Sequence, residues 1–167
     1  MCATPVTECV TPMPLSTDDR AALSDVVHRY AAHVDERQFD SVAELFTDAA
    51  VLVVADPPNA LEPVRSHRGR DAIAGAVAAV AALIRTEHAI VGEVYDRAAR
   101  PGAARGRVAC IAHHWDQRGD ELVDVVWHLR YDDEYELTDR WRIARRALTI
   151  NAIETLSVRR VRRHDPI

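Results

Sequence analysis

Leu23, Val26, Val27, Tyr30, Ala31 and Val34 recur at three- and four-residue spacing, which lays one apolar stripe along a helix of about residues 17–35. Ser16 stands as its N-cap with Asp19 three residues on, a variant of the capping box. A shorter helix restarts at Phe39-Asp40, turns Val42, Leu45 and Phe46 inward, and ends near Thr47-Asp48. VLVVAD (51–56) reads as a strand, because β-branched side chains suit a pleated surface. PPNALEPVRSHRG (57–69) holds three prolines in thirteen residues and reads mostly as loop. RDAIAGAVAAVAALI (70–84) is Ala-rich and apolar nearly all round, the pattern of a buried helix, and is too short to span a bilayer.

From residue 86 the period changes to two. TEHAIVGEVYD (86–96), GRVACIAHHWDQ (106–117), ELVDVVWHLRYDDEYEL (121–137) and RWRIARRALTI (140–150) are strand candidates, separated by the turn signals Pro101-Gly102, Arg118-Gly119-Asp120 and Thr138-Asp139. Helices first and strands afterwards predict an α+β fold with a largely antiparallel sheet covered on one face by helices. No internal repeat breaks the order. The organisation expected is a loose tail over 1–15, one domain over 16–155 and a solvated basic tail, SVRRVRRHDPI, at the end, with 156–167 outside the domain.

Bulk composition narrows the function classes. A chain of 167 residues with 48% apolar content suffices for one core. A net charge of −5 gives no general pull toward nucleic acid, and no stretch is apolar for long enough to cross a membrane. The N-terminus MCATPVTECVTPMPL lacks the basic start and apolar run of a signal peptide, so a cytoplasmic protein is expected. Cys2 and Cys9 fall in the tail and Cys110 in a strand, without metal-type spacing; a disulfide framework, a zinc site and thiol chemistry are not expected.

The strands then present ionisable groups in a pattern that needs explaining. Along 106–117, Ala109, Ile111, His113 and Trp115 share one side, and Val108, Cys110, Ala112 and His114 the other. Along 121–131, Leu122, Asp124, Val126, His128 and Arg130 alternate with the dry set Val123, Val125, Trp127, Leu129 and Tyr131. Asp124, His128 and Arg130 either lie on the exposed face of a half-buried sheet or line a cavity. Asp35 taken alone is a helix-end aspartate, and His88 alone is a hydrogen-bonded core histidine. If the Trp127, Leu129 and Tyr131 face points outward, self-association as a dimer or trimer follows.

RYAAHVDERQFDSVAELFTDAA, then Gly69-Arg70-Asp71-Ala72-Ile73, then Thr86-Glu87-His88 and YDDEYELTDRWRIARR, together resemble the SnoaL-like branch of the nuclear-transport-factor-two-like superfamily over about residues 16–155. The resemblance is nearest to the scytalone dehydratase and hexachlorocyclohexane dehydrochlorinase type. It implies a cone-shaped α+β barrel, in which a bent, mostly antiparallel sheet wraps around the N-terminal helices and encloses a pocket. In those relatives a carboxylate at the end of the first helix pairs with a histidine at the start of a strand, the positions of Asp35 and His88 here. A second pocket histidine maps to His113, with His114 turned to the other face, and Arg130 falls near a substrate-orienting amide. His128 and Val126 on that wall, and Trp115 beside His113, complete the substrate-binding set that the resemblance implies. Tyr30 stands where the dehydrochlorinase type has lysine, and Val34 where the dehydratase type has tyrosine, so neither halide elimination nor scytalone itself is implied.

A carboxylate that holds Nδ1–H of an imidazole leaves Nε2 as a base and stabilises the imidazolium that forms. The function expected is a cofactor-independent, metal-free general acid/base lyase, a dehydratase or cyclase acting on a small, largely apolar carbonyl or polyketide-type substrate. In that expectation His88 abstracts the proton and His113 or Tyr30 returns one. The alternatives are a non-catalytic binding module of the same fold and a small structural subunit of a ring-hydroxylating dioxygenase-like assembly.

Overall fold

The structure is a computed structural model that describes residues 14–163. Helix α1 spans Thr17–Asp35 and α2 spans Phe39–Glu44. Strands β1 (Phe46–Asp56) and β2 (Ala60–Arg68) follow, then α3 (Arg70–Val77) with a 3-10 turn over Ala78–Ala82, and then β3 (Arg85–Arg97), β4 (Ala103–Arg118), β5 (Glu121–Leu137) and β6 (Trp141–Ser157). The α+β class expected from the residue pattern is the one found.

Capping and burial explain α1. Ser16 Oγ accepts from the Asp19 N–H at 3.0 Å while Asp19 accepts back from Ser16, closing the box that the sequence suggested. Leu23, Val26, Val27, Tyr30, Ala31 and Val34 are all buried, so the stripe is the face laid on the sheet. The strands form one open sheet in the order β2-β1-β6-β5-β4-β3. Only β1 and β6 pair in parallel; every other neighbour is antiparallel. The long strands β3 to β6 bend around α1, which packs on β3 and β6. Among the described residues no helix is long and apolar enough to cross a membrane.

Four local expectations are corrected. Residues 60–68 are not loop but β2, paired to β1 from Val51↔Arg68 to Val54↔Arg65. Its Pro63 is tolerated because β2 is an edge strand, where a missing N–H leaves no ladder partner unsatisfied. The second helix stops at Glu44, because Phe46 enters β1 opposite Ile143 and the Ile143 N–H donates to Leu45 O at 2.9 Å. The 70–84 segment is neither continuous nor buried: after Val77 it tightens to 3-10 geometry, and only Ile73 and Val77 are buried. Finally, β6 continues to Ser157 rather than ending at 150.

Candidate active site

Asp35 is the last residue of α1, and the helix is ended there by geometry. Arg37 takes a left-handed conformation (φ 61°), costly for a residue with a Cβ, and its N–H closes back on Val34 O at 3.2 Å. The chain thereby turns away and leaves the Asp35 carboxylate facing the start of β3. Three donors meet it there: Thr86 hydroxyl at 2.9 Å, His88 backbone N–H at 2.8 Å and His88 Nδ1 at 2.7 Å. Burial pushes the Asp35 carboxyl up, but the hydrogen bond and charge of His88, with the further His88 N–H and Thr86 bonds, outweigh it and hold the group below the usual carboxylate range. A carboxylate accepting at Nδ1 places the proton there, so Nε2 is the basic nitrogen of His88.

His88 lines a cavity of about 450 Å³. Aliphatic side chains dominate its wall, with Val34 from α1, Leu52 from β1, Val77 from α3 and Val80 from the 3-10 turn among them. Tyr30, His114, Trp127 and Tyr131 add polar atoms to an otherwise apolar surface, and the exposed Arg65 and Arg118 stand at the rim. Among the described residues no group of three or more His, Cys, Asp or Glu is arranged to hold a metal ion.

The second cavity histidine is His114, and the expectation of His113 is overturned. The His114 ring lies 6.0 Å from that of His88 and 4.4 Å from that of Trp127. Its Nδ1 sits 3.0 Å from Val125 O; a carbonyl can only accept, so Nδ1 carries the proton and Nε2 is left as an acceptor. Burial pushes its pKa down to about 4, which keeps the ring neutral. His113 is on the opposite face, held by Asp124 at 2.7 Å and stacked on Trp115 with ring centroids 5.3 Å apart.

The same reversal removes the rest of the expected substrate-binding set. Val125, Trp127, Leu129 and Tyr131 face the cavity, so Val126, His128 and Arg130 face away from it, and Trp115 shares the His113 side. His128 pairs with Glu154 at 2.8 Å and Arg130 with Asp132 at 2.9 Å. The ground for expecting self-association through Trp127, Leu129 and Tyr131 falls with it, since these residues are turned inward. One signal in the sequence pointed the right way: Arg105 and Arg107, upstream on the same strand, share the parity of His113 and are exposed. Tyr30 does line the cavity, through a buried ring set edge-on to Tyr131 at 6.0 Å.

A bent sheet wrapped over an N-terminal helix, with a carboxylate–histidine pair in an apolar hollow, defines a cone-shaped α+β pocket protein. The chain belongs to the SnoaL-like domain family, whose model matches residues 16–147. Solved structures share the fold. A candidate scytalone dehydratase from Novosphingobium aromaticivorans is 22% identical, with a TM-score of 0.67 over 91% of this chain and 97% of that one. A hexachlorocyclohexane dehydrochlorinase, LinA-type3, from Novosphingobium barchaimii is 18% identical, with a TM-score of 0.68 over 83% and 90%. The Kfla4162 protein from Kribbella flavida is 26% identical, with a TM-score of 0.68 over 82% and 93%. Among curated protein sequences none matches.

Proposed function

We propose that this protein is a cofactor-independent lyase-type enzyme, a dehydratase or cyclase acting on a small, largely apolar carbonyl compound of polyketide type. The observation that carries the reading is the Asp35 carboxylate, fixed by three donors and joined to His88 Nδ1 at 2.7 Å on the wall of an apolar cavity. Two structures of similar fold are named for eliminations, a dehydratase and a dehydrochlorinase, which supports the same class.

His88 Nε2 takes a proton from carbon next to the substrate carbonyl, and Asp35 stabilises the imidazolium. Because His114 is neutral with its proton committed to Val125 O, it accepts a hydrogen bond from a substrate hydroxyl rather than supplying a proton. The His88 imidazolium then returns its proton to the departing hydroxyl, so that one C–H and one C–O bond break, one C=C forms and water leaves. In a cyclisation the same carbanion attacks an internal carbonyl, whose oxygen receives the proton.

The test uses a panel of small cyclic ketones and β-hydroxy ketones in deuterated water, with exchange next to the carbonyl and loss of water followed by NMR and mass spectrometry. Turnover is expected to fall about 10²- to 10⁴-fold in His88→Ala and to fall also in Asp35→Asn. Exchange that proceeds equally in both variants would remove the mechanism. Binding of intact ketones without exchange would favour the non-catalytic binding role.

A further inference from the structure

Arg146 is the most buried charged group described and takes no part in the dyad. Its side chain and that of Asp133 are both 0% exposed. Nε and Nη2 donate to the two Asp133 oxygens at 2.9 and 2.7 Å, and Tyr135 hydroxyl donates to the same carboxylate at 2.6 Å. The guanidinium carbon lies 4.2 Å from the ring centroid of Tyr30 and 4.3 Å from that of Tyr131, so the cation is packed against two phenol rings. Both phenols line the cavity. Among the described residues Nη1 has no hydrogen-bond partner.

A simple staple between strands explains only part of this. Asp133 and Arg146 face each other across β5 and β6, and their pair would hold those strands in register. A staple needs no aromatic ring against the cation, and a buried donor left unpaired costs about 1–3 kcal/mol. The arrangement is polarised: Asp133 neutralises the Nε and Nη2 side, while positive charge remains at Nη1 and against the two rings. Burial raises both phenols, so they are protonated donors at neutral pH, and the charge of Arg146 opposes that rise in each. A cation against a ring draws electron density from it and strengthens the O–H as a donor, and low local dielectric extends that effect.

We propose that Arg146 is a positioning residue that makes the cavity select an oxygen-bearing ligand: from behind Tyr30 and Tyr131 its guanidinium favours a carbonyl or enolate oxygen over an apolar group, and the phenol hydroxyls are the donors that touch it. This deepens the proposed reaction, because the enolate made by His88 requires a partner for its oxygen. The preference itself does not require turnover, so it is tested separately.

Two probes of nearly equal shape serve: 4-nitrophenol, whose ionised form is read by its visible absorbance, and 4-nitrotoluene, which has no oxygen on that carbon. Their Kd values are measured for the native protein, Arg146→Met, Arg146→Lys and Tyr131→Phe, each also combined with His88→Ala. Arg146→Met is expected to weaken nitrophenolate about tenfold, the equivalent of one pKa unit, and nitrotoluene less than about twofold. Lysine should restore most of the difference, and Tyr131→Phe should reproduce it while leaving the buried ion pair in place, which keeps the test open if the methionine variant does not fold. The preference should persist in His88→Ala. Equal weakening of both probes, or no weakening of either, would reduce Arg146 to a strand staple; a preference lost with His88 and kept without Arg146 would assign it to the dyad.

Discussion

At the scale of single residues, the two cavity histidines differ in what their Nδ1 atoms meet. His88 meets a carboxylate and becomes a base backed by negative charge; His114 meets a carbonyl in a drier place and is held neutral. The second environment gives a stability signature. A histidine with a folded pKa of about 4 against an ordinary 6.5 binds a proton more readily when unfolded, so stability is complete above pH 6.5 and declines as pH falls toward 4. The decline from this one group is about 3 kcal/mol at most. Urea unfolding of native protein and His114→Gln should therefore diverge across that window, with the native protein losing more. Parallel pH curves would contradict the assignment. Asp35 acts lower down: its carboxyl is held below the ordinary value, and the stability it contributes is lost only as pH falls through its folded pKa.

At the scale of elements, β4 brings His114 to the cavity because its even positions face inward from Val108 to His114, and Gly106 is the close-contact point on that face. A Cβ at Gly106 would come within 2.8 Å of Tyr135 Cε2 and 3.0 Å of Tyr95 Cδ1. Neither ring is free to retreat, since Tyr135 hydroxyl is tied to Asp133 and Tyr95 hydroxyl to Glu93 at 2.8 Å. Gly106→Ala should thus cost about 1–3 kcal/mol by overpacking, read as a lower urea midpoint with an unchanged m value. A midpoint equal to that of the native protein would show that the rings yield. α1 needed little beyond its own sequence, because stripe, cap and capping box agree. β2 was hidden, because its Pro63 and the Pro57-Pro58 pair before it report loop wherever the sheet edge is unknown.

At the scale of the whole molecule, the cavity exists because α3 and the 3-10 turn cover the sheet with alanines and valines rather than filling it. Ala76, on α3, is one of the lining residues and only partly buried, so a large ring placed there is positioned to extend into the hollow. Ala76→Trp should abolish binding of 4-nitrophenol while the melting temperature shifts by only a few degrees; binding that survives would place the probe elsewhere on the surface. The sequence alone determined the α+β class, α1, the existence of four long antiparallel strands and the candidacy of Asp35 and His88, because periodicity, caps and turn residues are local and the resemblance rested on short runs. Which face of the sheet holds the cavity was a tertiary matter. Apart from the parity of Arg105 and Arg107, a strand with apolar residues on both sides offers no local reason to turn His114 inward and His113 outward, and that choice follows from which face α1 covers. Arg146 was likewise decided by the fold: a register shift between β5 and β6 near Glu134 breaks the alternation that starts at Trp141 and Ile143 and turns this arginine into the core.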